Sequence, residues 1–146
     1  MSFDENFASW DDVNSAPPTV PLGEYSVRIV DPKVEKTKDQ REYIAYRAIV
    51  DSGPHAGYSF LRGMFSLKSD QVWKFKRDTK AIGFAFDPGL SVVEAARAFV
   101  QQIGGTIVRV KLGLRPRQVK NEDTGEYVND PEGTQENTIQ RWIELA

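Results

Sequence analysis

Three segments of alternating hydrophobicity, a stretch at helical spacing and two further alternating segments predict an all-β to α+β fold. The expected architecture is a five-stranded barrel with a helical insertion between strands 3 and 4. Three observations carry it. Apolar residues recur at every second position around residues 25–29, 44–50 and 108–112. They recur every three or four positions over residues 72–82 and 92–103. Gly and Pro pairs punctuate the chain between these blocks.

The first strand is expected at residues 22–31, where Tyr25, Val27 and Ile29 alternate with Ser26 and Arg28. A polar, Lys-rich connection then runs from Pro32 to Gln40 and carries Lys33, Lys36 and Lys38. The second strand, residues 41–51, sets Ile44, Tyr46, Ala48 and Val50 on one face, with Tyr43 and Arg47 on the other. Gly53-Pro54 and Ala56-Gly57 mark a turn. The third strand, residues 58–67, turns Leu61, Phe65 and Leu67 inward and Tyr58, Phe60, Arg62 and Met64 outward. A one-residue error in strand phase would exchange these faces.

The period then changes. Ser69 is the expected N-cap of a helix through Val72, Phe75, Thr79 and Ile82, ending at Gly83. A second stripe, Trp73, Lys76, Arg77 and Lys80, lies on the same helix. It suits either a phosphate backbone or a solvated face. Ser91 and Glu94 form a capping-box pattern for a second helix, with Val92, Ala95, Ala96, Phe99 and Ile103 on its apolar face. Strand four, residues 106–114, alternates Val108, Val110 and Leu112 with Arg109 and Lys111. A basic strand end and a turn at Asp123-Thr124-Gly125 follow. The last strand, residues 137–145, aligns Ile139 and Ile143 and puts Trp142 on the opposite face.

Three strands, a helical segment and two strands is the order of the oligonucleotide-binding (OB) fold, although SH3-like barrels also mix short strands with a helix. The 146 residues fit one such domain at residues 22–146, behind an acidic, flexible N-terminal arm at residues 1–21. Phe3, Phe7 and Trp10 fall at helical spacing in that arm.

Composition narrows the chemistry. There is no cysteine, so disulfides, thiolate catalysis and cysteine-bound zinc are excluded. The single histidine, His55, sits in a Gly/Pro-rich loop, and no phosphate-loop, dinucleotide or zinc-protease motif is present. The expectation is a non-enzyme without cofactor or metal. No apolar run is long enough for a membrane, and no signal-peptide pattern opens the chain, so a cytoplasmic location is expected.

The net charge of −2 hides a strong asymmetry. Residues 1–24 hold five acids and no Lys or Arg, while residues 25–120 hold 18 basic residues against 9 acids. Residues 121–146 hold Arg141 against 7 acids. A basic body between acidic ends suits a polyanionic partner, whose condensed counterions are released on binding. Sequence-tolerant binding of a single strand needs cations along the phosphates and rings on which bases stack. The candidate residues are Tyr43, Arg47, Tyr58, Phe60 and Arg62 on strands two and three, and Arg109 and Lys111 on strand four. Lys36, Lys38 and Arg41 extend the set at the first loop, and Arg115, Arg117 and Lys120 at the last. Strands two and three and these two loops form the usual oligonucleotide groove of an OB-fold.

The segments PLGEYSVRIVDPKVEKTKD (residues 21–39) and YIAYRAIVDSGPHAGYSFLRGMFSLKS (residues 43–69) resemble a family of bacteriophage single-stranded-DNA-binding proteins of replication and recombination modules. Its members open with a Pro-x-Gly-x-Tyr strand and an extended Thr-Lys loop, and reach the third strand through a Gly-Pro-x-Ala-Gly turn. The resemblance implies an OB-fold, a role in phage DNA replication or recombination, recombinase or replication proteins as partners, and the host bacterial cytoplasm as location. It implies binding at the aromatic and basic positions above. The chain ends Arg141-Trp142-Ile143-Glu144-Leu145-Ala146, without a Gly-rich linker and acidic tip, so recruitment of partners through such a tip is not carried over.

The expected function is sequence-tolerant single-stranded-DNA binding that protects strands and melts their secondary structure, with the oligomeric state left open. The alternatives are a protein-interaction module or host-enzyme inhibitor acting through the acidic arm, and a metal-dependent nuclease using scattered carboxylates.

Overall fold

Val27, Ile29, Ile44, Ala48, Val108 and Val110 have no exposed surface, so the strands with the clearest alternation are the ones that wall the core. The computed structural model describes residues 18–146. The strands are β1 (Gly23–Lys36), β2 (Glu42–Val50), β3 (Leu61–Ser66), β4 (Ile107–Pro116), β5 (Gln118–Lys120), β6 (Tyr127–Asn129) and β7 (Gln135–Leu145). Two helices, α1 (Trp73–Ala81) and α2 (Val92–Ile103), lie between β3 and β4 as expected. Neither is long and apolar enough to cross a membrane.

Val20–Leu114 and Asn137–Ala146 make one compact unit, and Arg115–Glu136 belong to another. In the first unit five antiparallel strands run in the order β3-β2-β1-β4-β7. Four strand spacings of roughly 4.8 Å would hold the ends of a flat sheet about 19 Å apart. Yet the rings of Phe65 on β3 and Trp142 on β7 have centroids 5.3 Å apart. The sheet is therefore strongly curled, and its two end strands meet through side chains over the core. Among the described residues its ladders leave β3 and β7 as the two ends of the sheet.

The curl wraps an aromatic core. Phe65, Phe75, Phe99, Tyr46 and Trp142 pack ring to ring, with Phe84 and Phe86 added from the loop after α1. Such rings bury roughly 150–250 Å² each. α1 ends as its sequence suggests. Gly83 takes φ +77°, its N–H bonds to the Lys80 carbonyl, and the Phe84 N–H reaches back to the Thr79 carbonyl. This pairing satisfies the last carbonyls of a helix. The capping box of α2 is present, with the Glu94 N–H on Ser91 Oγ and the Ser91 N–H on Glu94 Oε1.

Several details differ from the expectation. β1 does not stop at Asp31 but runs on to Lys36, and the predicted polar connection shrinks to residues 37–41. Val30 pairs with Arg47 and Lys33 with Ala45, so β1 carries one more residue than β2 in that interval, a β-bulge. Asp31 there has φ +50°, which Asp tolerates better than most residues, and Pro32 has no N–H to pair. Past the bulge the inward phase moves from odd to even residues, with Val34 opposite Ile44.

Trp142 lies in the core with 1% exposure, not on the opposite face from Ile139. Asn137 and Ile139 follow one phase, but the alternation slips by a residue before Trp142. α1 begins without a side-chain cap at Val72, and Ser69 stays in the preceding turn. Val92, expected on the apolar face of α2, is largely exposed in its first turn. The stretch expected to be only a turn holds an extra hairpin in the second unit, with Gln118 opposite Asn129 and Lys120 opposite Tyr127.

Of the expected arm, residues 1–17 lie outside the described residues. Val20 is buried: its N–H donates to Asn137 Oδ1 at 2.8 Å, and its carbonyl accepts from Asn137 Nδ2 at 3.0 Å. The folded body thus reaches back at least two residues before Leu22.

Candidate functional site

The bulge decides what the outward face of the sheet presents. Beyond it Lys33 and Glu35 turn outward on β1, beside Tyr43, Ala45 and Arg47 on β2 and Arg62, Met64 and Ser66 on β3. The ladders order these into three rows. Glu35, Tyr43 and Ser66 form the first, Lys33, Ala45 and Met64 the second, and Val30, Arg47 and Arg62 the third. Ala45 is the smallest side chain and stands in the centre. A groove of about 700 Å³ opens over it, lined by Lys33, Arg47, Arg62, Asp31 and Glu35 among others.

Arg47 and Arg62 are direct cross-strand partners. Like charges placed opposite each other on one face of a sheet destabilise it. Arg47 has a distant carboxylate, Asp31, at 3.8 Å. Arg62 makes no ion pair among the described residues. Lys33 is held by Glu35 at 3.1 Å. The face is thus a cluster of three cations with two carboxylates at its β1 margin.

Aromatic groups flank the cations. The Tyr43 hydroxyl donates to Glu35 Oε2 at 2.8 Å, fixing that ring at one end of the groove. This bond, and then the Lys33 ammonium, hold the Glu35 carboxyl below the usual carboxylate range. Phe60 continues the outward line of Arg62 and Met64. It is 53% exposed and leans edge-on against Tyr58, centroids 5.6 Å apart. Tyr58 is half-buried against the core, and its hydroxyl reaches Asn137 Oδ1 at 3.3 Å. Its ring supports Phe60 more than it offers a face of its own.

The other expected residues lie elsewhere. Lys36 ends β1, and Lys38 and Arg41 sit at the hairpin tip past Tyr43, where Arg41 pairs with Asp39 at 2.7 Å. Arg109 and Lys111 face outward on β4 but align with Ser26 and Glu24. Ser26 is four residues along β1 from Val30, the partner of Arg47, a displacement of about 13 Å. Arg109 is also held between Glu24 at 3.1 Å and Glu144 at 3.7 Å. Arg115, Arg117 and Lys120 belong to the second unit, where Arg115 pairs with Glu136 at 3.0 Å. The face therefore brings together Tyr43, Arg47, Phe60 and Arg62 from the expected set.

No protein-family model and no curated protein matches this chain. What the site can do must be read from its own residues.

Sequence reasoning misses Lys33 and Met64 as site residues. Pro32 makes Lys33 look like loop. Met64 is 62% exposed beside Lys33 and Ala45, an apolar surface that strand alternation does reveal but chemistry alone does not single out. Among the described residues no group of three or more His, Asp or Glu side chains is arranged to hold a metal. The face offers no activated nucleophile either: it has guanidinium forks, an ammonium, rings and a thioether. Such groups bind anions and flat apolar surfaces.

Proposed function

We propose that this protein binds single-stranded DNA without catalysis, on the outward face of β1, β2 and β3. The observation that carries this reading is the Arg47–Arg62 pair, set side by side between Phe60 and Tyr43. Two opposed guanidiniums weaken a sheet unless an anion joins them, and a phosphate accepts from both. The rings on either side supply stacking faces for bases. The ion pairs with Asp31 and Glu35 do not preclude this. Exposed pairs of that kind contribute only about 0–1 kcal/mol each, so a phosphate can displace them.

The fold supports the same reading. The order β3-β2-β1-β4-β7, with helices inserted after the third strand and the end strands meeting through Phe65 and Trp142, suits a partly open OB barrel. In such barrels the surface of strands two and three is the one that holds oligonucleotides. Coating of exposed strands during phage replication or recombination, with recombinase or replication proteins as partners, fits the resemblance of residues 21–69.

The test is fluorescence anisotropy of labelled oligo-dT over a range of salt. Binding should weaken with a log–log slope of roughly −0.7 per phosphate neutralised. Absence of binding at low salt would overturn the proposal.

A further inference from the structure

We infer that α1 carries a second docking surface for single-stranded nucleic acid, a basic helix face with Trp73 as its stacking platform. Trp73 is 53% exposed, while Trp142 of the same unit lies in the core. Phe75 and Thr79 take the core side of the helix. Asp78, the one carboxylate of α1, is buried, accepting from Arg77 Nε at 2.8 Å. What faces solvent is Trp73 with Lys74, Lys76, Arg77 and Lys80. The Lys74 ammonium and the Arg77 guanidinium stand 5.6 and 5.4 Å from the indole centroid. The Arg77 Nη2 donates to the Gln140 carbonyl on β7 at 3.4 Å, next to the exposed Arg141. Among the described residues Lys74, Lys76, Lys80 and Arg141 make no ion pair.

This arrangement works against the helix that bears it. Lys74 and Lys76 sit in the first turn, where the helix dipole disfavours cations, and no acid offsets them there. Lys76 and Lys80 repel each other at i, i+4. A merely solvated face would be expected to interleave acids among the lysines. An uncompensated cationic face around an exposed indole instead complements phosphates with a base stacked between them. α1 packs on β3 through Phe75 and Phe65, centroids 5.2 Å apart. The inference shares its ligand class with the proposed function but not its residues.

The indole supplies its own probe. In a Trp10→Phe protein, the remaining tryptophans are Trp73 and the buried Trp142. Titration with oligo-dT longer than the roughly 4–16 nucleotides held by one OB-type surface should quench the exposed emission. The quench should vanish when Trp73→Phe is added. A Trp73→Ala/Lys76→Ala/Lys80→Ala protein should bind the same oligonucleotide about 5- to 150-fold more weakly, the range that removal of one stacking ring spans. Thermal melting checks that this exposed-surface variant folds, and Trp73→Phe alone serves if it does not. A quench that persists without Trp73, or unchanged affinity in the triple variant, overturns the helix surface. If Arg47→Glu/Arg62→Glu abolishes binding in that same case, the sheet face stands alone. Binding that survives Arg47→Glu/Arg62→Glu but disappears in the triple variant assigns the site to α1 and removes it from the sheet. Duplex DNA bound as tightly as oligo-dT, with no quench, reduces the surface to charge attraction and overturns the stacking role.

Discussion

The indole N–H of Trp142 donates to the Tyr46 hydroxyl at 2.9 Å, tying β7 to β2 across the interior of the curled sheet. The two strands are three places apart in the sheet order, so this bond and the surrounding ring packing hold the curl where no ladder does. Tyr46→Phe leaves a buried N–H without its acceptor. Urea denaturation should show a loss of about 1–3 kcal/mol, the usual cost of an unsatisfied buried group. An unchanged midpoint would mean that the curl does not depend on this bond.

Gly63 is the direct partner of Tyr46, and a Cβ at that position would lie 2.0 Å from the ring carbon Cζ. The ring crosses the β3 backbone where only a glycine leaves room. Gly63→Ala should therefore displace Tyr46 and destabilise the protein by about 1–3 kcal/mol, as overpacking does. Denaturation compared with Gly89→Ala, where a Cβ would meet only a flexible side-chain atom at 3.4 Å, separates crowding from the general effect of alanine.

The arginine pair should announce itself through salt. Replacing both Arg47 and Arg62 by alanine should weaken oligo-dT binding and lower the salt slope by roughly 0.7 for each phosphate no longer neutralised. Arg109→Ala, whose guanidinium already sits between two carboxylates, should change neither quantity appreciably. Equal effects from the three arginines would mean that binding does not centre on the Arg47–Arg62 pair.

Asp78 gives the fold an unusual response to acid. Burial raises its carboxyl above the ordinary range, against the opposing influence of the neighbouring Arg77 guanidinium. Its folded pKa is thus above its unfolded one, and the neutral form is favoured in the native state. The stability this contributes is present below the unfolded value and is lost as pH rises through the folded one. Asp78→Asn should therefore improve relative to the parent protein as pH is raised through that window. Urea midpoints of the two proteins across the carboxylate range would reveal it, and parallel curves would refute it.

The first half of β1 and the strands β2 and β4 are legible in the sequence because Val27, Ile29, Ile44, Ala48, Val108 and Val110 alternate regularly there. The capping box of α2 is legible because both of its partners are local. What cannot be read is any change of phase. Pro32 looks like the end of a strand, yet it sits at a bulge within one, and Lys33 drops out of the expected site for that reason. Regular alternation from Ile139 turns Trp142 outward, while the chain slips by a residue between them. The candidate groove suffers similarly. Arg109 shares residue type and strand pattern with Arg47, and only the ladder register shows that it stands elsewhere along β1.

The kink at Asp31-Pro32 confines one surplus residue to a single place in β1. Removing either one would leave its neighbour opposite Tyr46, while Lys33 still opposed Ala45 on the outer face and Val34 still opposed Ile44 inside. The outer surface should therefore keep its order, and the cost of such a deletion should fall on the interior, where an Asp or a Pro would then stand beside Tyr46.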